Sequence, residues 1–213
     1  MKRAIARRSA ICIGMLMLAV ASTASADGGV NPFISNCRTI SQPGSYLVLA
    51  NITATASNIQ NNGLGWNACI MITADFVTLD LGGHTIVGPP AATVNFIPVM
   101  GIVSFNNGTE VRSGIVTTFW DGVALLGAGA RVEHIRALNN SSHGIIVEHE
   151  FQPFLLQGHR VVANTAIGNS IGITVYCPSV VLENVATGNT TGDIVEVNPG
   201  AGACTRQENS PAP

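Results

Sequence analysis

A short apolar segment recurs along this chain at a nearly constant interval. Five copies begin at positions 101, 122, 144, 172 and 193, with the sequences GIVSF, GVAL, GIIV, GITV and DIVEV. An earlier copy, CIMI, begins at position 69, and a second segment rich in β-branched residues follows every copy except the last. Most copies are about 21 residues apart. Self-similarity at such a period indicates a repeat architecture.

One repeat of this length provides two or three short strands separated by turns. If each repeat forms one triangular coil, its backbone hydrogen bonds are made to neighbouring coils about 4.8 Å away. Asn recurs at 140, 169 and 189 and at 164 and 184, where turn side chains can stack and tolerate left-handed backbone. Apolar residues form inward columns, one of which would contain Ile102, Val123, Ile145, Ile173 and Ile194. The pattern predicts an all-β, single-domain parallel β-helix (a solenoid) of about six coils.

The coil pattern, the segment Pro43–Leu49 and the segment 72–88 (ITADFVTLDLGGHTIVG) resemble a known family. They are similar to the right-handed parallel β-helix proteins of the pectin-lyase-like fold, in particular the exported bacterial NosD-like right-handed β-helix region family. The resemblance covers residues 40–198. It implies a right-handed coil with an N-terminal capping strand, but the fold hosts lyases, hydrolases, epimerases, adhesins and inert scaffolds.

The N-terminal segment has the features of a secretory signal. Lys2, Arg3, Arg7 and Arg8 precede an apolar run from Ala10 to Ala21, and small residues follow up to Ala26. Cleavage near Ala26 would release a secreted or periplasmic protein, by either the Sec or the twin-arginine route. The expected organisation is a signal peptide over 1–26, an N-terminal cap over 27–52, the β-helix over 53–198 and a C-terminal tail over 199–213.

The charge of the chain after residue 26 argues against a nucleic acid partner, and its hydropathy argues against a membrane span. Of the ten basic residues, four lie in the predicted signal peptide, and the six that remain are all Arg against twelve Asp and Glu. Nucleic acid binding needs clustered Lys and Arg, so we expect no nucleic acid partner. No later stretch approaches the roughly 18 apolar residues of a membrane span.

Four cysteines follow the predicted signal peptide: Cys37, Cys69, Cys177 and Cys204. An even number in an exported chain indicates two disulfides, with three possible connectivities. The two pairs lie near opposite ends, which favours Cys37 with Cys69 and Cys177 with Cys204.

Two longer gaps in the repeat mark loop insertions, around 88–98 and 148–158. Both flank one sheet, whose outward positions are apolar in both registers, whereas a solvated face alternates with polar residues. The insertions could cover this face with side chains of their own, a second copy of the chain could cover it as a homo-oligomer, or a ligand could bind there. The candidate covering side chains are Phe96, Ile97, Phe151, Phe154, Leu155 and Leu156.

One dense polar cluster brackets the second insertion, and its candidate catalytic residues are His143, Glu148, His149, His159 and Arg160. Imidazole and carboxylate groups in one region can act as acid and base. They are also the composition of an ordinary solvated loop. The spacing matches no metal motif, so neither a metal nor another cofactor is predicted.

Three further residues are candidates for ligand binding. Arg131, beside Arg160, could bind a carbohydrate carboxylate, or could pair with Glu110 and Glu133 on adjacent coils. Trp120 could stack on a sugar ring, and Tyr176 lies in the outward column that contains Glu148. The predicted function is a non-catalytic exported β-helix that binds a polysaccharide, surface glycan or protein partner, or self-associates. The alternative is a small lyase or glycoside hydrolase acting at the His143–Arg160 region.

Overall fold

The computed structural model describes residues 31–63, 65–148, 158–198, 202–207 and 210–211. The predicted signal peptide, His149 and most of the second insertion lie outside these residues. The first eleven strands are β1 (Phe33–Ile34), β2 (Arg38–Ile40), β3 (Gly44–Val48), β4 (Ile52–Thr53), β5 (Gln60–Asn61), β6 (Asn67–Ile72), β7 (Val77–Asp80), β8 (Thr85–Val87), β9 (Thr93–Val94), β10 (Ile97–Ser104) and β11 (Glu110–Thr117). The others are β12 (Val123–Leu125), β13 (Arg131–Leu138), β14 (His143–Val147), β15 (His159–Val162), β16 (Thr165–Ile167), β17 (Ile171–Tyr176), β18 (Ser179–Leu182), β19 (Val185–Thr187), β20 (Gly192–Val197), β21 (Thr205–Gln207) and β22 (Ser210–Pro211).

The strands form two sheets whose neighbours are mainly parallel. Sheet A follows the order β1-β3-β7-β11-β13-β15-β18-β21, and sheet B follows β2-β6-β10-β12-β14-β17-β20. From β10 to β15, consecutive strands alternate between sheets B and A, so the chain adds one strand to each sheet per passage. Sheet B also contains two antiparallel pairs, β5 with β6 and β9 with β10. The fold is therefore all-β and solenoid-like, as the repeat predicts.

The register of sheet B confirms the inward column expected from the repeat. Ile102 pairs with Val123, Val123 with Ile145, Ile145 with Ile173, and Ile173 with Ile194. The first four of these side chains are fully buried between the sheets, whereas Ile194 on the last strand is half-buried. Residues at equivalent positions of successive repeats therefore stack in one continuous core.

Buried Asn side chains form two ladders at the turns, as expected from their spacing. The Nδ2 of Asn140 donates to Asn169 Oδ1, and that of Asn169 donates to Asn189 Oδ1, each at 3.0 Å. Asn164 and Asn184 make the same contact at 3.0 Å. Each Oδ1 also accepts a backbone N–H from the coil before it. The ladders satisfy backbone groups that the strands leave unpaired at the corners.

The outer face of sheet A carries a ladder of opposite charges. Arg112 contacts Asp80 at 3.0 Å and Glu110 at 3.2 Å, while Arg131 lies 3.7 Å from Glu110. Arg160 contacts Glu133 at 3.0 Å. Opposite charges on adjacent strands remove the like-charge repulsion that in-register stacking would otherwise cause.

Two disulfides join the ends of the chain's described part to the solenoid. Cys37 is bonded to Cys69, and Cys177 is bonded to Cys204, which is the pairing favoured by their positions in the sequence. A search of the described residues for helices finds none with the length and hydropathy needed to cross a membrane.

The first insertion forms a 3-10 turn at Pro90–Ala92 and then the β9–β10 hairpin. The hairpin turn places Asn95 and Phe96 at positive φ, 50° and 66°. Phe96 is 99% exposed, so it does not cover the sheet as the sequence suggested. A two-residue turn with both residues in the left-handed region directs its side chains away from the strands, which explains the exposure.

Candidate functional site

The outer face of sheet B is apolar, and its N-terminal half is covered from within the chain. Met71, Val103 and Ala124 occupy successive outward positions and are 3%, 0% and 2% exposed. Trp66 and Phe105 pack against this cluster, with ring centroids 5.3 Å apart and an interplanar angle of 69°. Trp66 lies in the turn of the β5–β6 hairpin, directly before β6.

Next to this cluster lies a cavity of about 470 Å³, which we call the groove. Its floor is apolar, formed by Met100, Ala124, Leu126 and Ile146. Its aromatic walls are Trp66 and Trp120, and its polar side chains are Asp121, Ser142, His143 and Glu148. A mainly apolar cavity with a few polar groups is the usual composition of a small-molecule site.

Asp121 and His143 meet because they occupy equivalent positions in successive coils. Each immediately precedes the glycine that begins a repeat copy, Gly122 or Gly144. A Cβ at Gly122 would lie 2.6 Å from the Gly144 carbonyl oxygen, so the coils approach too closely there for any side chain. Adjacent coils therefore place the carboxylate of one next to the imidazole of the next.

The Asp121–His143 contact fixes the orientation of the imidazole. Asp121 Oδ1 accepts a hydrogen bond from the His143 backbone N–H at 2.9 Å and lies 2.9 Å from His143 Nδ1. Ser142 Oγ also lies 2.9 Å from that nitrogen. Since an ionised carboxylate only accepts, the proton of a neutral imidazole is assigned to Nδ1. Nε2 then carries the lone pair, and no described residue donates to it.

On another side of the groove, Glu148 interacts with Tyr176. Glu148 directly follows β14, and Tyr176 ends the neighbouring strand β17. Burial raises the pKa of Tyr176, and the charge of Glu148 and its hydrogen bond to the phenol raise it further. The hydroxyl therefore stays protonated at neutral pH and donates to the carboxylate.

Trp120 forms the exposed rim of the groove. Trp120 is 40% exposed. Its backbone is held on both sides, since Trp120 N–H donates to the Val99 carbonyl at 2.8 Å and Ser142 N–H donates to the Trp120 carbonyl at 2.8 Å. The ring is thus an accessible apolar surface on a fixed backbone.

The structure brings together only some of the residues selected from the sequence. His143, Glu148 and Trp120 line the groove, and Tyr176 adjoins it through Glu148. His149 lies outside the described residues. The other three selected residues, His159, Arg160 and Arg131, lie on sheet A.

The described contacts of these three residues lie within sheet A and its adjoining turns. His159 is 1% exposed, and its Nδ1 accepts the Ala130 backbone N–H at 3.2 Å. Arg131 and Arg160 belong to the charge ladder and contact Glu110 and Glu133. Sequence proximity to the second insertion suggested one cluster, but β14 and β15 lie in opposite sheets, so the cluster divides between two faces.

Sequence reasoning missed Asp121 and the position of Trp66. Asp121 lies 22 residues before His143, one coil period, and that spacing was a usable signal. The position of Trp66 depends on the antiparallel β5–β6 hairpin, which the repeat does not encode.

The groove carries negative charge and no described metal cluster. Asp121 and Glu148 line it, and neither Arg nor Lys is among its described lining residues. Within the described chain, the one group of three close metal-binding side chain types is Cys177, Glu196 and Cys204, whose cysteines form a disulfide. The groove therefore has hydrogen-bonding groups suited to an organic ligand.

Comparison with known proteins does not identify a family. The chain matches no protein-family model, and neither curated proteins nor solved structures show significant similarity to it. Function is therefore argued from the residues of the groove.

Proposed function

We propose that this is an exported glycan-binding protein whose sugar site is the groove on the outer face of sheet B. The observation that carries the proposal is the presence of Trp66, Trp120, Asp121, His143 and Glu148 around one cavity of about 470 Å³. A sugar ring has an apolar C–H face, which packs on an aromatic ring, and a rim of hydroxyls. Carboxylates and the imidazole Nε2 accept hydrogen bonds from those hydroxyls.

The covered half of the outer face favours a glycan over self-association. Met71, Val103 and Ala124 are buried beneath side chains of the same chain, which removes much of the apolar surface that a dimer would bury. The part that the described residues leave uncovered combines an exposed Trp with ionisable groups. A sugar, with apolar and polar faces of its own, fits that mixture better than a second apolar sheet face.

The proposal also covers the handedness of the solenoid, the number of its coils and the location of the protein. We propose a right-handed solenoid of about six coils, similar to the NosD-like β-helix proteins, that is exported after cleavage near Ala26. The parallel two-sheet order and the two disulfides support this, since disulfides persist mainly in oxidising compartments.

The first test is an oligosaccharide titration followed by tryptophan fluorescence. The chain contains two Trp, at 66 and 120, and both line the groove, so a ligand bound there changes the signal. Trp120→Ala should weaken binding about five- to tenfold, because stacking on an exposed Trp contributes about 1–1.5 kcal/mol. The matched control is Phe76→Ala, since Phe76 is 71% exposed but lies outside the groove. Calorimetry showing equal affinities for wild type and Trp120→Ala would refute the site.

The Asp121–His143 pair supports a second candidate function, hydrolysis of a bound glycan. An imidazole held by a carboxylate through Nδ1 can use Nε2 to take a proton from water and return it to the leaving sugar oxygen. A hydrolase releases new reducing ends from a bound oligosaccharide, and His143→Ala should abolish this release. Equal release by wild type and His143→Ala would exclude this role.

A further inference from the structure

The groove is lined by carboxylates that no described cation balances. It contains the carboxylates of Asp121 and Glu148, and none of the six described Arg is among its lining residues. Arg112, Arg131 and Arg160 pair on sheet A, and Arg206 pairs with Glu196. Arg136 lies on β13 of sheet A, and Arg38 on β2 donates to the Asn31 carbonyl. A cleft lined by one sign of charge selects ligands of the opposite sign.

Asp121 has one carboxylate oxygen available to a ligand. Its Oδ1 is used by the backbone and ring of His143, but no described residue hydrogen-bonds Oδ2. The residue is 9% exposed, and Oδ2 is reached by solvent, since it is not among the described buried side-chain atoms that lack a hydrogen bond. A charged donor of a ligand can replace water at this oxygen, and such a charge-assisted hydrogen bond is among the stronger ones.

The two Trp rings of the groove also favour a positively charged ligand. A cation near the face of a Trp ring is attracted by the ring quadrupole, and the attraction grows as water is excluded. Trp66 and Trp120 lie in the same cavity as Asp121. A uronate, in contrast, would bring its carboxylate toward two carboxylates with no described Arg or Lys in the lining to balance it.

We propose that the groove is specific for a glycan with free amino groups, namely an oligomer of an unsubstituted hexosamine in its ammonium form. This rests on the proposed glycan-binding function and specifies its ligand. Asp121 Oδ2 accepts the hydrogen bond from the ammonium, Glu148 adds negative charge, and Trp120 packs on the ring. The affinity therefore depends on the amine and not only on the sugar face.

The test compares three oligomers of equal length by calorimetry, at a pH where the amine is protonated. The probes are a glucosamine oligomer, its fully N-acetylated form and a galacturonate oligomer. We expect the free-amine oligomer to bind at least about tenfold more tightly than the acetylated one, and the uronate to bind least. The advantage of the amine should shrink as salt is raised.

Two variants locate the preference, and one provides a control. Asp121→Asn should lower the ratio of free-amine to acetylated affinity toward one, and Glu148→Gln should lower it less, since Glu148 also bonds Tyr176. Asp80→Asn removes an equal charge on sheet A and should leave the ratio unchanged. The thermal midpoint of each variant shows whether it folds. If Asp121→Asn does not fold, the affinity ratio measured for Glu148→Gln decides the test.

The outcomes separate this inference from the proposed function. Equal affinities for the amine and acetylated oligomers, or tighter binding of the uronate, would overturn the amine preference but leave a glycan-binding groove. An unchanged ratio in folded Asp121→Asn and Glu148→Gln would also overturn it. Failure of all three oligomers and of a wider neutral panel to bind would overturn both.

Discussion

Side chains at equivalent positions of successive coils make contacts that the repeat predicts. The contacts of side chains outside the repeat could not be predicted from it. The spacing of Asn140, Asn169 and Asn189 predicted a ladder, because identical turns stacked in register place identical side chains together. The same logic, applied to 121 and 143, could have found the Asp121–His143 pair. Trp66 was not predictable in this way, since it belongs to a hairpin outside the period.

The buried amide ladder makes a strong prediction about stability. Asn169→Ala removes the acceptor of the Asn140 backbone N–H and side chain, and the donor to the Ala137 carbonyl. Each buried group left unsatisfied costs about 1–3 kcal/mol, so the free energy of unfolding should fall by about 3 kcal/mol. Urea unfolding measures the change, and exposed Gln207→Ala is the control. A loss below about 0.5 kcal/mol for Asn169→Ala would contradict the ladder.

The Tyr176–Glu148 contact predicts a specific titration. Burial and Glu148 raise the pKa of Tyr176 above the ordinary value near 10. The folded state thus holds the phenolic proton more tightly than the unfolded state, and stability falls as pH rises through that range. Glu148→Gln should lower the pKa of Tyr176 while burial keeps it somewhat raised.

Ultraviolet absorbance of phenolate measures this titration directly. The chain has two Tyr, and subtracting the curve of Tyr176→Phe from that of wild type isolates Tyr176. If Glu148→Gln leaves the titration midpoint of Tyr176 unchanged, the two side chains do not interact in solution.

At the scale of strands, the sequence predicted the stacking of sheet B residue by residue. Each copy of the repeat supplies the same inward and outward positions, so the register follows from aligning the copies. The division of the His143–Arg160 region between two sheets was harder to foresee. The chain passes from β14 in sheet B to β15 in sheet A between residues 147 and 159. The repeat does not predict at which residue it leaves sheet B, because the second insertion interrupts the period there.

The β9–β10 hairpin is an element whose sequence fits its conformation poorly. Its turn residues Asn95 and Phe96 both have positive φ, which suits Asn but is costly for a bulky side chain. Phe96→Gly should raise the free energy of unfolding by about 1 kcal/mol, because the exposed ring contributes no burial. Phe96→Ala keeps the Cβ and should give little of this gain. Chemical unfolding in which the Gly variant is no more stable than the Ala variant would show that the turn is unstrained.

At the scale of the whole molecule, low charge and few aromatic residues follow from a narrow stacked core of Val, Ile and Ala. What the composition did not reveal is the separation of two kinds of carboxylate: those on sheet A pair with Arg112, Arg131 and Arg160, whereas those in the groove have no described Arg beside them. That separation arises from which face each strand presents. It could not be read before the strands were assigned to sheets.

The disulfides fasten the two ends of the solenoid, where a coil has a neighbour on one side only. The Cys37–Cys69 bond closes a loop with a sequence separation of 32 residues. Replacing both cysteines with Ser should lower the free energy of unfolding by about 3–4 kcal/mol in the chain-entropy model. Denaturant unfolding of the double variant against wild type measures the loss, and unchanged stability would mean that the end coil needs no covalent support.

In the proposed function, the groove between Trp66, Trp120 and the Asp121–His143 pair holds a sugar. A crystal structure of the protein with a glucosamine oligomer would show where the oligomer binds. We expect a ring packed on Trp120 and an amine within hydrogen-bond distance of Asp121 Oδ2. An oligomer bound along the charge ladder of sheet A, with the groove containing only water, would contradict it.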